Sequence, residues 1–327
     1  MEYMPEFRLC APASVDEAVG LAAADAGARY LSGGTDLVVN VRRGIERPAA
    51  LIDLSAIGEL KDIDEDDGGL RLGAGVVLRD LAENETLRRD FAAVAEAALA
   101  VAGPTHREYA TLGGNLCLDT RCLFYNQSEW WRGANDYCLK KEGETCHVAP
   151  KGSFCFAAFS GDVAPALLVS GAEVELAGPE GRRRIPLAEL YNDDGMDHLA
   201  LKAGELVAAV HLPGAVAGVP SAYAKARVRG SIDFPLAGAA VALAMKGGGV
   251  EDLRVGLTAV GPRPFLVEDT ERFADAPLDG AALDDLREMV RAQAQPMRTT
   301  TVAPWYRRRV AGNLARRLAA GLAAASP

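Results

Sequence analysis

Ala28-Arg29-Tyr30-Leu31-Ser32-Gly33-Gly34-Thr35-Asp36-Leu37 reads as a short strand that runs into a tight glycine turn and out into a helix. Glycines at such a turn let backbone N–H groups approach phosphate oxygens with no Cβ in the way. The same chemistry returns at Thr111-Leu112-Gly113-Gly114-Asn115. Neither loop has the G-x-G-x-x-G or G-x-x-x-x-G-K-[ST] spacing, so the dinucleotide-fold and P-loop readings lose their required pattern. Each glycine pair taken alone reads more readily as a plain tight turn.

Outward from the first loop, strands and helices alternate. Ser14 with Glu17 forms an S-x-x-E box that starts a helix running to Ala24. Strands are predicted at 50–54 and 70–77, and one helix over 85–101 that Gly103-Pro104 ends. After residue 162 come an apolar turn at 163–169 and strands at 172–177, 183–187 and 206–212. Pro213 to Pro220 reads as a linker, followed by strands at 222–228, 237–245 and 253–260 and helices at 278–295 and 304–324.

Between Leu116 and Phe159 neither helical nor strand periodicity persists, yet seven aromatic residues argue against disorder. Four of the six cysteines, Cys122, Cys138, Cys146 and Cys155, fall within this stretch. They lack a compact C-x-x-C, so zinc-finger and bacterial ferredoxin templates do not apply. Four thiolates equal the requirement of a structural Zn²⁺ or of a [4Fe–4S] cube, and spacing leaves the two even. Cys117 reads as a packing residue and His147 as a neighbour of the ligands. Trp130-Trp131 reads as a hydrophobic shell around the metal, with a stacking platform as the alternative.

With 327 residues, 49% of them hydrophobic, the chain can bury two or three modest cores. Its formal charge of −10 argues against nucleic acid as a partner. The start shows no signal-peptide pattern and no apolar run reaches spanning length, so no membrane is expected and the compartment is read as the cytoplasm. There thiols stay reduced, and clustered cysteines bind metal rather than pair. Arg182 to Arg184 is expected on an exposed hairpin, and Arg307 to Arg309 on a solvated or ion-paired helix face. His106, His198 and His211 read as structural, and Asp193-Asp194 with Asp197 as a surface turn rather than a cation site. No nucleophile elbow, kinase set or H-E-x-x-H motif is present, and no catalytic residue is assigned.

Taken together, the two glycine loops, with Arg42-Arg43-Gly44 after the first, resemble the FAD subunits and FAD domains of the xanthine oxidase family of molybdenum hydroxylases, essentially end to end. The resemblance implies an α+β fold, with a two-subdomain FAD-binding domain (PCMH-like) at residues 1–216 and an α+β C-terminal domain at 217–327. It implies that Ser32, Gly33, Gly34, Thr35, Asp36 and Leu37 hold the FAD pyrophosphate together with Thr111, Leu112, Gly113, Gly114 and Asn115. It also implies that Asp162 is the family's aspartate, displaced by an insertion at about 121–159, and that Lys225 matches a lysine near the flavin. Within the family the insertion looks like that of the β subunit of 4-hydroxybenzoyl-CoA reductase, which implies a [4Fe–4S] cluster on the four cysteines.

The implied complex is a dimer of heterotrimers with a molybdenum-cofactor subunit and a [2Fe–2S] subunit. Electrons would pass from reduced ferredoxin through the chain for reductive dehydroxylation of 4-hydroxybenzoyl-CoA to benzoyl-CoA. Two alternatives stand beside this one: a hydroxylase subunit that passes electrons outward, and a zinc-stabilised interaction module with no redox role.

Overall fold

Ser14 caps the first helix as the sequence predicts: its hydroxyl accepts from the Glu17 N–H at 3.2 Å, and the Glu17 carboxylate accepts from the Ala13 N–H at 2.8 Å. In this computed structural model, which describes residues 4–66 and 68–325, strand β1 (Arg8–Cys10) precedes helix α1 (Val15–Ala24) and strand β2 (Ala28–Leu31). The glycine turn delivers the chain to α2 (Leu37–Arg42) and then β3 (Ala50–Asp53). The strands make a parallel sheet in the order β1-β3-β2. Val15, Ala18 and Val19 on one face of α1 are buried with Ile52, Ile57 and Leu60.

A second sheet begins with β4 (Ile63–Asp66) and β5 (Gly69–Gly73). The helices α3 (Leu78–Glu83), α4 (Glu85–Asp90), α5 (Ala92–Ala100), α6 (Pro104–Arg107) and α7 (Leu112–Leu116) follow. The single helix expected over 85–101 is two helices, because Phe91 leaves the helical region at φ −138°, ψ 52° as its ring enters the core. After α8 (Glu129–Ala134) and the wholly buried α9 (Val163–Val169), β6 (Glu173–Gly178), β7 (Gly181–Pro186) and β8 (Leu206–Leu212) complete an antiparallel sheet ordered β4-β5-β8-β6-β7.

The C-terminal sheet, ordered β12-β11-β10-β9, comprises β9 (Ser221–Ala226), β10 (Ala237–Lys246), β11 (Gly249–Thr258) and β12 (Phe265–Leu266). Its sides are told apart by alternation along β10. Ala237, Ala239, Val241 and Leu243 share a core with α10 (Gly280–Gln293) and α11 (Pro304–Ala325), while Ala240 and Ala242 join the core that holds α5 and α9. The sheet is thus gripped from both sides, and the architecture is the expected α+β one. No helix among the described residues is long and apolar enough to cross a membrane.

The arginine runs divide. Arg182 and Arg183 lie on the β6–β7 hairpin, paired with Glu59, Glu175 and Glu205. Arg307 corrects the expectation of a solvated face, since it is 1% exposed. Its guanidinium donates to the carbonyls of Leu236 at 2.9 Å, Met297 at 2.8 Å and Ala259, and to the Thr299 hydroxyl at 3.0 Å. These acceptors compensate for burial, which pulls its pKa down to about 10.

Candidate functional site

The two glycine loops meet. Ser32 Oγ lies 2.9 Å from Thr111 Oγ1, and the same Thr111 hydroxyl accepts the Gly114 N–H at 3.2 Å, capping α7. Gly33 has no space for a side chain: a Cβ there would stand 1.8 Å from the Tyr109 carbonyl oxygen. Gly34 sits at φ +70°, where a Cβ is strained. Among the described residues no protein acceptor is found for the backbone N–H groups of Gly33, Gly34, Thr35 or Asp36. Four neighbouring donors left over in this way fit an anionic group such as a pyrophosphate.

The second loop is tied in turn to Asp162. The buried Asn115 side chain accepts the Val163 N–H at 3.1 Å, and a Cβ on Gly161 would come within 2.6 Å of the Asn115 carbonyl oxygen. Asp162 is 3% exposed and receives the Lys225 ammonium at 3.0 Å and the Tyr223 hydroxyl at 2.6 Å. Lys225 also donates to the Asp233 carbonyl at 3.1 Å. Burial pushes the Asp162 carboxyl above its ordinary range, and Lys225 and Tyr223 draw it back. Ser32, Thr111, Asn115, Asp162 and Lys225, distant in sequence, therefore form one connected line.

The cysteine stretch has its own organisation. Its two ends pair through reciprocal backbone bonds between Arg121 and Ala158, at 2.7 and 2.8 Å, and α8 lies within it. Ile45, Cys122, Tyr125, Cys138, Cys155 and Ala157 make a small separate core. Cys122, Cys138, Cys146 and Cys155 are all buried and unpaired, and all four line one narrow gap with Phe124, Leu139, His147 and Val148. The Ala157 N–H points at Cys155 Sγ from 3.4 Å. Burial pushes the Cys122 thiol up to about 11 and the Cys155 thiol to about 12, so ionised forms need a compensating cation.

Among the described residues no three His, Cys, Asp or Glu side chains converge closely enough to hold a single metal ion. Four buried thiols around a shared apolar gap supply the donor count that a zinc ion or a [4Fe–4S] cluster requires. Cys117 packs against the larger core, away from the gap. The His147 ring lies 5.3 Å from Phe124 with Nε2 on the Tyr137 carbonyl. Of the tryptophans, Trp131 packs 6.4 Å from Phe124, but Trp130 is 80% exposed. That corrects the expected shell, because successive helical residues point to different sides and only one of the pair faces inward.

Several residues that hold the site together escape sequence reasoning. Lys140, 6% exposed at its side chain, reaches Asp119 Oδ1 at 2.5 Å, the Gly195 carbonyl at 2.9 Å and the Tyr125 ring face at 4.4 Å. The Tyr125 hydroxyl closes the triangle on Asp119 at 2.9 Å. Arg121 pairs with Asp36 of the first glycine loop and lies 4.5 Å over the Phe234 ring, so it links the insertion to both flanking regions. Asp194 of the expected surface turn accepts the Cys155 N–H at 3.0 Å. His198 is buried with Nε2 on the Leu118 carbonyl at 3.0 Å. The only sequence signal for these was a charged residue beside a cysteine, at Arg121 and in Cys138-Leu139-Lys140.

A family profile described as the FAD binding domain in molybdopterin dehydrogenase matches residues 5–215, and one for the CO dehydrogenase flavoprotein C-terminal domain matches residues 221–322. The aldehyde oxidoreductase FAD-binding subunit PaoB of Escherichia coli (strain K12) is 38% identical over 265 residues, covering 78% of this chain and 80% of that protein. The carbon monoxide dehydrogenase medium chain of Afipia carboxidovorans is 29% identical over 309 residues, covering 94% and 93%. In the solved structure of reconstituted CO dehydrogenase from Oligotropha carboxidovorans, one chain superposes with a TM-score of 0.80 at 26% identity, over 99% of this chain and 100% of that one. The profile match over most of the chain and the near end-to-end superposition agree with the joined glycine loops, and this chain belongs to the FAD-binding medium subunits of the xanthine oxidase family of molybdenum enzymes.

Proposed function

We propose that this chain is the flavin- and iron–sulfur-bearing electron-transfer subunit of a cytoplasmic molybdenum oxidoreductase. Its partners are a molybdenum-cofactor subunit and a [2Fe–2S] subunit in a dimer of heterotrimers. Residues 1–216 form the FAD-binding domain with the metal loop at about 121–159, and residues 217–327 form the C-terminal domain. FAD is held by Ser32 to Leu37 and Thr111 to Asn115, with Asp162 and Lys225 beyond them. Cys122, Cys138, Cys146 and Cys155 hold a [4Fe–4S] cluster. When bound, a flavin converts between two-electron and one-electron chemistry and a cluster relays single electrons, while the chain binds, orients and insulates them.

The observation that carries this reading is the convergence of four buried, unpaired cysteines on one gap in a flavoprotein subunit. Redox-inert zinc has no electron-transfer purpose there. Iron, acid-labile sulfide, zinc and acid-released flavin measured on the purified chain test it. Zinc without flavin overturns the reading in favour of an interaction module.

The direction of flow is proposed as outward, from substrate to an acceptor. The carbon monoxide dehydrogenase relative is named for an oxidation. The reverse reading, reduced ferredoxin driving dehydroxylation of 4-hydroxybenzoyl-CoA, is favoured by the metal loop, which supplies a low-potential inlet. Turnover of the complex with an aldehyde and an oxidised acceptor, set against 4-hydroxybenzoyl-CoA and reduced ferredoxin, separates the two.

A further inference from the structure

Four thiolates around a doubly charged core leave a net negative centre, whether the core is Zn²⁺ or an oxidised [4Fe–4S] cube. Burying such a charge in an apolar gap is costly unless the wall supplies the opposite sign. Among the described residues that line the cysteine gap, Lys140 is the one lysine, arginine or carboxylate. Its side chain is 6% exposed.

Lys140 is held from three sides, and a cysteine stands beside each. Its Nζ donates to the Gly195 carbonyl at 2.9 Å, and the Gly195 N–H donates to the Cys155 carbonyl at 2.8 Å. It lies 4.4 Å over the Tyr125 ring, and the Tyr125 N–H donates to the Cys122 carbonyl at 3.0 Å. Cys138 precedes it by two residues in the chain. The partner of the ammonium stands on the other side. Asp119 Oδ1 is 2.5 Å from Nζ, yet Asp119 does not line the gap: it lines a neighbouring cavity, with its side chain 23% exposed. Lys140 and Tyr125 line both spaces and so form the wall between them. Water screens the carboxylate, while the ammonium meets the apolar side.

We propose that Lys140 sets the reduction potential of the centre held by the four cysteines, with Asp119 opposing it. The proposal rests on the [4Fe–4S] reading above and deepens it. Reduction adds one electron, supplied in the test by dithionite, and forms or breaks no bond, so the centre becomes more negative by one charge. A fixed cation on the wall favours that state and raises the potential, whereas a fixed anion lowers it. The two members of the pair therefore act with opposite sign.

The test is a redox titration of the assembled complex with dithionite and mediators, following the [4Fe–4S] centre by electron paramagnetic resonance. Lys140→Gln is expected to shift its reduction about tenfold toward the oxidised form, about 59 mV downward for a one-electron couple. Lys140→Arg keeps the potential near the wild-type value, and Asp119→Asn, which leaves the ammonium without its anion, moves it upward. The flavin and [2Fe–2S] potentials in the same samples are expected to stay in place. A purely structural pair moves both variants the same way or neither, and either result overturns the proposal, as does loss of the centre from both. If only Lys140→Gln fails to hold iron and sulfide, the sign of the Asp119→Asn shift decides. Iron, acid-labile sulfide and zinc are measured on every sample: a full cluster with unmoved potentials sinks the role of Lys140 alone, whereas zinc without sulfide in wild type sinks the cluster reading along with it.

Discussion

Ser32 Oγ and Thr111 Oγ1 lie 2.9 Å apart, a single hydrogen bond across 79 positions that brings two separate glycine turns into one surface. Around it the backbone is crowded on one side and open on the other. Gly33 faces the Tyr109 carbonyl with no room for a Cβ, while the neighbouring N–H groups have no protein acceptor among the described residues. Gly33→Ala is therefore expected to destabilise the fold by about 1–3 kcal/mol through overpacking and to lower flavin content. Urea unfolding and the flavin-to-protein ratio after acid release check it; a variant with full flavin and wild-type stability refutes the assignment of this turn.

Cys138→Ser removes one of four thiols from the gap, while the glycine loops lie outside it. The expected result is loss of iron and acid-labile sulfide with FAD retained. Flavin lost in parallel would show that the loop supports the glycine turns directly, a connection that Arg121 and Asp36 are placed to transmit.

Lys140 and Asp119 form a mostly buried pair that fastens the cysteine loop to the 190s turn through the Gly195 carbonyl. Breaking one side of such a pair costs roughly 3–5 kcal/mol when fully buried, and less here because the Asp119 side chain keeps 23% exposure. Lys140→Met is expected to make residues 121–158 the first site of limited proteolysis. In a double-mutant cycle with Asp119→Asn the two losses should fall short of additive. Strict additivity would remove the pair from the account.

His198 gives the stability a pH dependence of known sign. Burial lowers its pKa from 6.5 to about 4, because the cation has no water around it and Lys140 is nearby. The folded state therefore binds the proton less readily than the unfolded chain. The contribution is fully present above pH 6.5 and is lost progressively as pH falls toward about 4, by about 3 kcal/mol in all. Urea midpoints across this window should fall less steeply in His198→Gln than in wild type, and parallel slopes would contradict the burial argument.

Much of this was legible from residue order, for identifiable reasons. Ser14 with Glu17, the strand at Ala28–Leu31 and the strand at Leu206–Leu212 follow local rules of capping and apolar patterning, and the structure has them at those places. β1 was missed because three residues, two of them exposed, carry no period, and its partner β3 is forty residues away. The kink at Phe91 was missed because helical periodicity continues across it while the core draws the ring inward. At the site, glycine pairs and cysteines announce themselves by type. Lys140, Arg121, Tyr223 and Arg307 do not, because each acquires its role from a partner that only the fold brings near.

The stem of the cysteine loop is one residue pair wide. Arg121 and Ala158 exchange both backbone bonds, so the chain leaves the domain and re-enters it at the same place, with Cα atoms about 5.5 Å apart as in any such antiparallel pair. A lineage can acquire or shed everything between them by an event at a single junction, without shifting the register of the glycine turns or of Asp162. The flavoprotein frame is in that sense a chassis, and the cysteine loop a detachable fitting whose history need not follow that of the protein that carries it.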